Sequence, residues 1–172
     1  INRRVTLKSD LTFSKKKCPK LIYGTAWKED KTVYLVEKAL ELGFRAIDTA
    51  CQPKHYNESA VGIAIKNSQI KREEIFLQTK FTPLSGHDPQ KIPYDPDLSI
   101  EEQVLQSFAK SQANLCTNYV DSLILHSPFP STRDTLKSWQ TMETIHQDGG
   151  ARNIGISNCY DKSILMEIYE KA

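Results

Sequence analysis

Five short apolar runs, each closing on a polar residue and each followed by a stretch with helical spacing, constrain this sequence more than any other feature. The runs end at Thr25, Asp48, Lys80, His126 and Ser157. Strands that alternate with helices at this spacing build a parallel sheet, and parallel strands bring their carboxyl ends to one common face. Five polar strand ends far apart in sequence are therefore expected to meet in space.

The elements between these ends are legible one by one. Val5 and Leu7, then Leu11 and Phe13, alternate about Ser9-Asp10, which predicts an amino-terminal β-hairpin. Leu21-Ile22-Tyr23 predicts a first strand ending at Gly24-Thr25. Asp30 is placed to cap a helix carrying Val33, Val36, Ala39 and Leu40, with Gly43 as its stop. Residues 44–47 form the second strand, and a small helix runs over about 57–67. Residues 75–77 open the third strand, which closes on Lys80.

A long connection with Pro83, Gly86, Pro89, Pro93 and Pro96 then predicts a surface loop. Ser99 caps a helix with Ile100, Val104 and Phe108 at i+4 spacing and with Glu101 and Glu102 in its first turn. Residues 120–125 make the fourth strand. A helix presenting Leu136, Trp139 and Ile145 stops at Gly149-Gly150, residues 153–156 make the fifth strand, and a last helix starts near Asp161.

The sum is an α/β fold of the (β/α)8 TIM-barrel type, as an incomplete barrel with about five parallel strands and an amino-terminal hairpin, in a single domain over residues 1–172. A complete barrel takes about 250 residues. The start at Ile1 and the end at Ala172 inside a helical pattern accordingly read as cut ends.

Composition narrows the function classes. With 39% hydrophobic and 26% charged residues and a net charge of +2, the chain has the balance of a globular protein and no excess of basic residues to attract nucleic acid. Lys15-Lys16-Lys17 is a short run that a solvated loop explains. No apolar stretch reaches the roughly 18 residues of a membrane span. Cys18, Cys51, Cys116 and Cys159 show neither a C-x-x-C pair nor a zinc spacing, so no metal is expected and a reducing, cytoplasmic compartment fits.

Taken singly, Asp48 reads as a turn or helix cap, Lys80 as a surface lysine and His126 as a hydrogen-bonded core histidine. On consecutive strand ends of one sheet they read instead as a site, because active sites of (β/α)8 barrels form at that face.

The motifs that carry these residues resemble one family. GFRAIDTA (43–50), YNESAVGIAI (56–65), FLQTK (76–80), YVDSLILHSP (119–128) and IGISN (154–158) are similar, in order and spacing, to the aldo-keto reductases, with the stretch 51–56 closest to fungal members. The resemblance implies that residues 1–20 are a hairpin plug closing the barrel bottom and residues 21–172 its first five βα units. It also implies NADPH as hydride donor, a small-molecule aldehyde or ketone as substrate, and a catalytic Asp, Tyr, Lys and His.

Asp48, Lys80 and His126 match directly. The tyrosine does not, because two extra residues lie between Asp48 and Asn57-Glu58; the role goes to Tyr56, with His55 as its rival. Lys80 is expected to lower the phenol's pKa, Asp48 to hold Lys80, and His126 to bind the substrate oxygen. Ser157 and Asn158 are implied to hold the nicotinamide, with Asp48, Gly24 and Thr25 beside the cofactor, though Gly24 equally suits a plain turn. Trp27 is either a wall of the substrate pocket, with His126, or ordinary packing. The family's later elements, which clamp the cofactor, have no counterpart before Ala172. A reductase is thus weighed against a catalytically inactive remnant and against a cofactor-sensing binding subunit.

Overall fold

A computed structural model describes residues 18–171 of the chain; the hairpin expected over residues 5–13 lies outside the described residues. Five parallel strands form one open sheet in sequence order: β1 Tyr23–Gly24, β2 Ala46–Asp48, β3 Phe76–Phe81, β4 Ser122–Leu125 and β5 Ile154–Ile156. The helices α1 Thr32–Glu41, α2 Glu58–Asn67, α3 Ile100–Leu115, α4 Thr132–Gln147 and α5 Lys162–Lys171 follow the strands in turn. This is part of a (β/α)8 barrel. No helix among the described residues is long and apolar enough to cross a membrane.

The strand register explains why one face is apolar and the other is chemical. Register partners in a parallel sheet share a face, and successive residues alternate between faces. Ile47, Leu77, Phe81, Leu123 and Leu125 fall on the helix side and are buried among Val36, Leu40, Val61, Val104 and Met142. Gly24, Asp48, Gln78 and Ser122 align across four strands on the opposite face, with Lys80 two residues beyond Gln78. Of these, Asp48 and Gln78 are only half-buried and Gly24 is exposed. The apolar row anchors the sheet; the polar row faces the open concave side.

Several elements differ from their sequence reading for local reasons. The ladder of β1 begins with Tyr23 opposite Ile47, so Leu21 and Ile22 stay outside it, and Leu21 is 71% exposed. Phe44 does not extend β2: its N–H donates to Ala39 O at 3.0 Å in closing α1, and its ring meets Tyr23 edge-on at 5.7 Å. Asp30 does not cap α1, because Glu29–Lys31 forms a 3-10 turn running straight into the helix, with Thr32 Oγ1 donating to Glu29 O at 2.7 Å. Ser99 does cap α3, in a capping box with Glu102. Gly43, at φ 95°, follows α1 in the left-handed region that glycine occupies without strain.

The proline-rich connection departs most. It is not wholly a surface loop: Pro83, His87 and Tyr94 turn inward and are buried, because His87 Nε2 and the Tyr94 hydroxyl both donate to Thr82 O, at 3.0 and 2.9 Å.

Candidate active site

The strand ends converge as expected. Lys80, buried near the end of β3, donates from Nζ to Asp48 Oδ1 at 2.6 Å and to Thr49 O at 2.8 Å. The same Asp48 oxygen accepts from Gln78 Nε2 at 2.7 Å, and Gln78 Oε1 accepts from Ser122 Oγ at 2.9 Å. A polar chain thus runs from β4 through β3 to β2 and holds the carboxylate toward the lysine. Gln78 and Ser122 were missed in the sequence, although their two-residue spacing from Lys80 and Ile124 puts them on the same face.

Tyr56 enters from the loop between β2 and α2. Its N–H donates to Gln52 O at 3.0 Å, and just beyond it the Asn57 side chain caps α2 by accepting from Ala60 N at 3.1 Å. Buried Glu58 then fixes the loop end by accepting from Thr79 Oγ1 at 2.5 Å, Ser111 Oγ at 2.9 Å and Asn114 Nδ2 at 3.1 Å. These anchors bring the Tyr56 ring over Lys80, with Nζ 4.9 Å from the ring centre, and set it edge-on to His126 at 6.1 Å between centroids.

His55 goes elsewhere. Its ring lies against Trp27 at 3.7 Å between centroids, and Trp27 N donates to His55 O at 2.8 Å. A cavity of about 630 Å³ lined by Trp27, Gln52, His55, Tyr56, Ile92 and Pro93 shares Tyr56 with the group but takes in neither Lys80 nor His126.

The electrostatics set protonation states. Burial pushes the His126 pKa down to about 4, with the charge of Lys80 adding to the effect, so the imidazole is neutral at neutral pH. Burial lowers Lys80 as well, and Asp48 opposes that shift. Tyr56 moves up, first from burial and then from the Asp48 carboxylate. The sequence predicts that Lys80 lowers the phenol's pKa, whereas the net shift is upward. Here the ammonium lies over the ring with its bonds directed to Asp48 and Thr49, and the phenol keeps its proton at neutral pH.

At the remaining predicted positions, Thr25 is buried with Oγ1 donating to Asp48 O at 2.8 Å, which fixes β1 to β2. Asn158, at φ 53°, donates from Nδ2 to His126 O at 2.7 Å and accepts at Oδ1 from the Tyr160 hydroxyl at 3.1 Å. Its amide therefore ties β5 to the histidine. Ser157 is half-buried at the end of β5, with its N–H donating to Leu125 O at 2.9 Å.

Comparison with known proteins accords with this fold. A sequence profile described as the Aldo/keto reductase family matches residues 20–172. The chain belongs to that family. This aldo-keto reductase chain is 33% identical over 129 residues to methylglyoxal reductase DkgA of Escherichia coli, covering 75% of the chain and 41% of the relative. It is 34% identical over 143 residues to morphine 6-dehydrogenase of Pseudomonas putida, covering 83% and 43%. The chain thus spans about two-fifths of the length of the curated relatives it matches.

Among solved structures, an aldo/keto reductase from Brucella melitensis superposes with a TM-score of 0.73 at 33% identity, over 90% of this aldo-keto reductase chain and 54% of the other. An aldo-keto reductase from Bombyx mori, solved in complex with NADP, gives 0.72 at 26% identity over 90% and 51%.

The rim fits the nicotinamide end of such a cofactor. A Cβ built at Gly24 meets nothing within 4 Å, and Gly24 is in register with Asp48, so the space beside the carboxylate is open to a bound group. Ser157 brings a hydroxyl to the same end of the sheet.

Proposed function

We propose that the protein is an NADPH-dependent oxidoreductase that reduces aldehydes or ketones to alcohols with Tyr56 as general acid. One observation carries this: a protonated phenol, a lysine paired to a carboxylate and a neutral imidazole meet at one sheet rim, with Lys80 Nζ 4.9 Å from the Tyr56 ring and 2.6 Å from Asp48.

Carbonyl reduction builds negative charge on oxygen and needs a donor aimed at that atom. When bound, NADPH supplies the hydride. Gly24 would leave room for the nicotinamide, and Asp48 and Ser157 would orient it. Tyr56, whose pKa burial and Asp48 hold up, keeps its proton until charge develops on the substrate oxygen, then gives it up, and the Lys80 ammonium beside the ring offsets part of the charge left behind. Asp48 holds the ammonium and limits the cost of burying it. His126, neutral, donates a hydrogen bond to the substrate oxygen without adding charge. Cys18, Cys51, Cys116 and Cys159 are free thiols, which suits a reducing cytoplasm.

The test is fluorescence titration with NADPH, followed by turnover of a small aldehyde such as methylglyoxal. Binding with turnover is expected. Binding without turnover favours a sensing subunit, and neither favours an inactive remnant. Tyr56→Phe is expected to lower turnover by about a thousandfold or more while NADPH binding persists. If His55→Ala does so instead, the acid is misassigned.

A further inference from the structure

The inward-turning loop after β3 and the histidine of the site meet at one residue that the mechanism has not used. Gln78, Lys80 and Thr82 alternate onto the same face, and Thr82 is 2% exposed. Its Oγ1 lies 2.8 Å from His126 Nδ1. Its carbonyl is held from the other side by two buried donors, His87 Nε2 at 3.0 Å and the Tyr94 hydroxyl at 2.9 Å.

From this arrangement we infer that Thr82, clamped by the proline-rich loop, is a positioning residue that fixes His126 in the tautomer carrying its hydrogen on Nε2. The proposed reduction enters only at the last step, where that N–H meets the substrate oxygen.

The donor directions follow from proton counting. A carbonyl only accepts, so His87 carries its hydrogen on Nε2, and its buried Nδ1 has no partner among the described residues. Thr82 O is thereby doubly held, which fixes the backbone from which the hydroxyl projects. The hydroxyl has one proton and two lone pairs, and His126 Nδ1 is its one partner among the described residues.

Donation to Nδ1 satisfies that proton. Acceptance from an Nδ1–H would instead strand the hydroxyl proton of a residue only 2% exposed, and a stranded donor is the costlier fault. Nδ1 is therefore an acceptor, and the neutral ring keeps a single N–H, on Nε2. Without Thr82 both tautomers are open to the ring, and in one of them Nε2 repels the carbonyl oxygen it is needed to bind.

The experiment is long-range proton–nitrogen correlation NMR of the histidine rings in the whole protein, with His126 assigned by its loss in His126→Gln. The wild-type spectrum should show His126 protonated at Nε2 and unprotonated at Nδ1. Thr82→Val should move both nitrogens toward the averaged positions of mixed tautomers, and Thr82→Ser should restore the wild-type pattern. A wild-type ring protonated at Nδ1, or a Thr82→Val spectrum indistinguishable from wild type, overturns the inference. The wild-type spectrum decides by itself if Thr82→Val does not fold.

In turnover, Thr82→Val should lower kcat about tenfold with KM for NADPH unchanged, and Thr82→Ser should stay within about twofold. A locked Nε2–H tautomer in a protein that turns over no carbonyl would defeat the proposed reductase while leaving Thr82 its role.

Discussion

Two carboxylates at opposite ends of this sheet are paired in different ways, and the contrast separates a pairing that holds the fold from one suited to chemistry. Asp121 stands just before β4 with its side chain 1% exposed. It pairs with Arg72 at 2.8 Å and Arg152 at 2.9 Å, accepts from Leu77 N at 3.0 Å, and lies beside Tyr119, whose ring both guanidiniums stack on at 4.2 and 4.4 Å. Its two arginine partners precede β3 and β5, and arginine keeps its charge at any pH a protein survives. Asp48, at the other end, pairs with one lysine whose pKa burial lowers, beside a phenol and an imidazole. The first arrangement serves as a clasp across β3, β4 and β5. The second is assembled from groups that exchange protons.

The largest stability effect should come from the clasp. Asp121→Ala leaves the Leu77 N–H without its acceptor and two guanidiniums without their carboxylate. It should lower the unfolding free energy by about 3 kcal/mol, toward the low end for a broken buried pair because both arginines are partly exposed and Arg72 keeps its bonds to Ile75 O and Tyr119 O. Urea denaturation reads this directly. A loss under about 1 kcal/mol would erase the contrast drawn here.

A smaller effect lies in pH. The folded pKa of His126, about 4, is below the ordinary 6.5, so the unfolded chain binds more protons between those values and stability falls as pH drops through that window. His87 is shifted the same way, again mainly by burial. His126→Asn should flatten the decline of the urea midpoint between about pH 6.5 and 4. An unchanged slope in His126→Asn would mean that the imidazole is not held neutral by the rim.

Much of this organisation is legible in the sequence, because strand ends and helix periods are local signals. Asp48, Lys80 and His126 announce themselves as polar residues closing apolar runs, and Ser99-x-x-Glu102 announces α3. What is not legible depends on contacts between distant segments. A 3-10 turn over Glu29–Lys31 leads into α1, so Asp30 never reaches cap geometry. Phe44 is drawn into closing α1, and Leu21 and Ile22 lie beyond the ladder that β2 offers.

The proline-rich loop looks like solvent-facing chain because breakers dominate it, and only the three-dimensional path shows His87 and Tyr94 folding back on Thr82. Likewise the two extra residues before Asn57 hide where the phenol falls. The turn on Gln52 absorbs them and sends His55 to Trp27 and Tyr56 to Lys80.

The most direct measurement compares stability and activity in Lys80→Met. Removing one partner of an ion pair is costly where the other charge is left buried. Asp48, however, is 20% exposed and keeps its bond from Gln78, while the ammonium lost was the more deeply buried of the two. The unfolding free energy should therefore stay within about 1 kcal/mol of wild type while NADPH-linked carbonyl turnover falls by about a thousandfold or more. Turnover retained to within about tenfold, or a stability loss as large as that of Asp121→Ala, would contradict the assignment of the upper pair to chemistry.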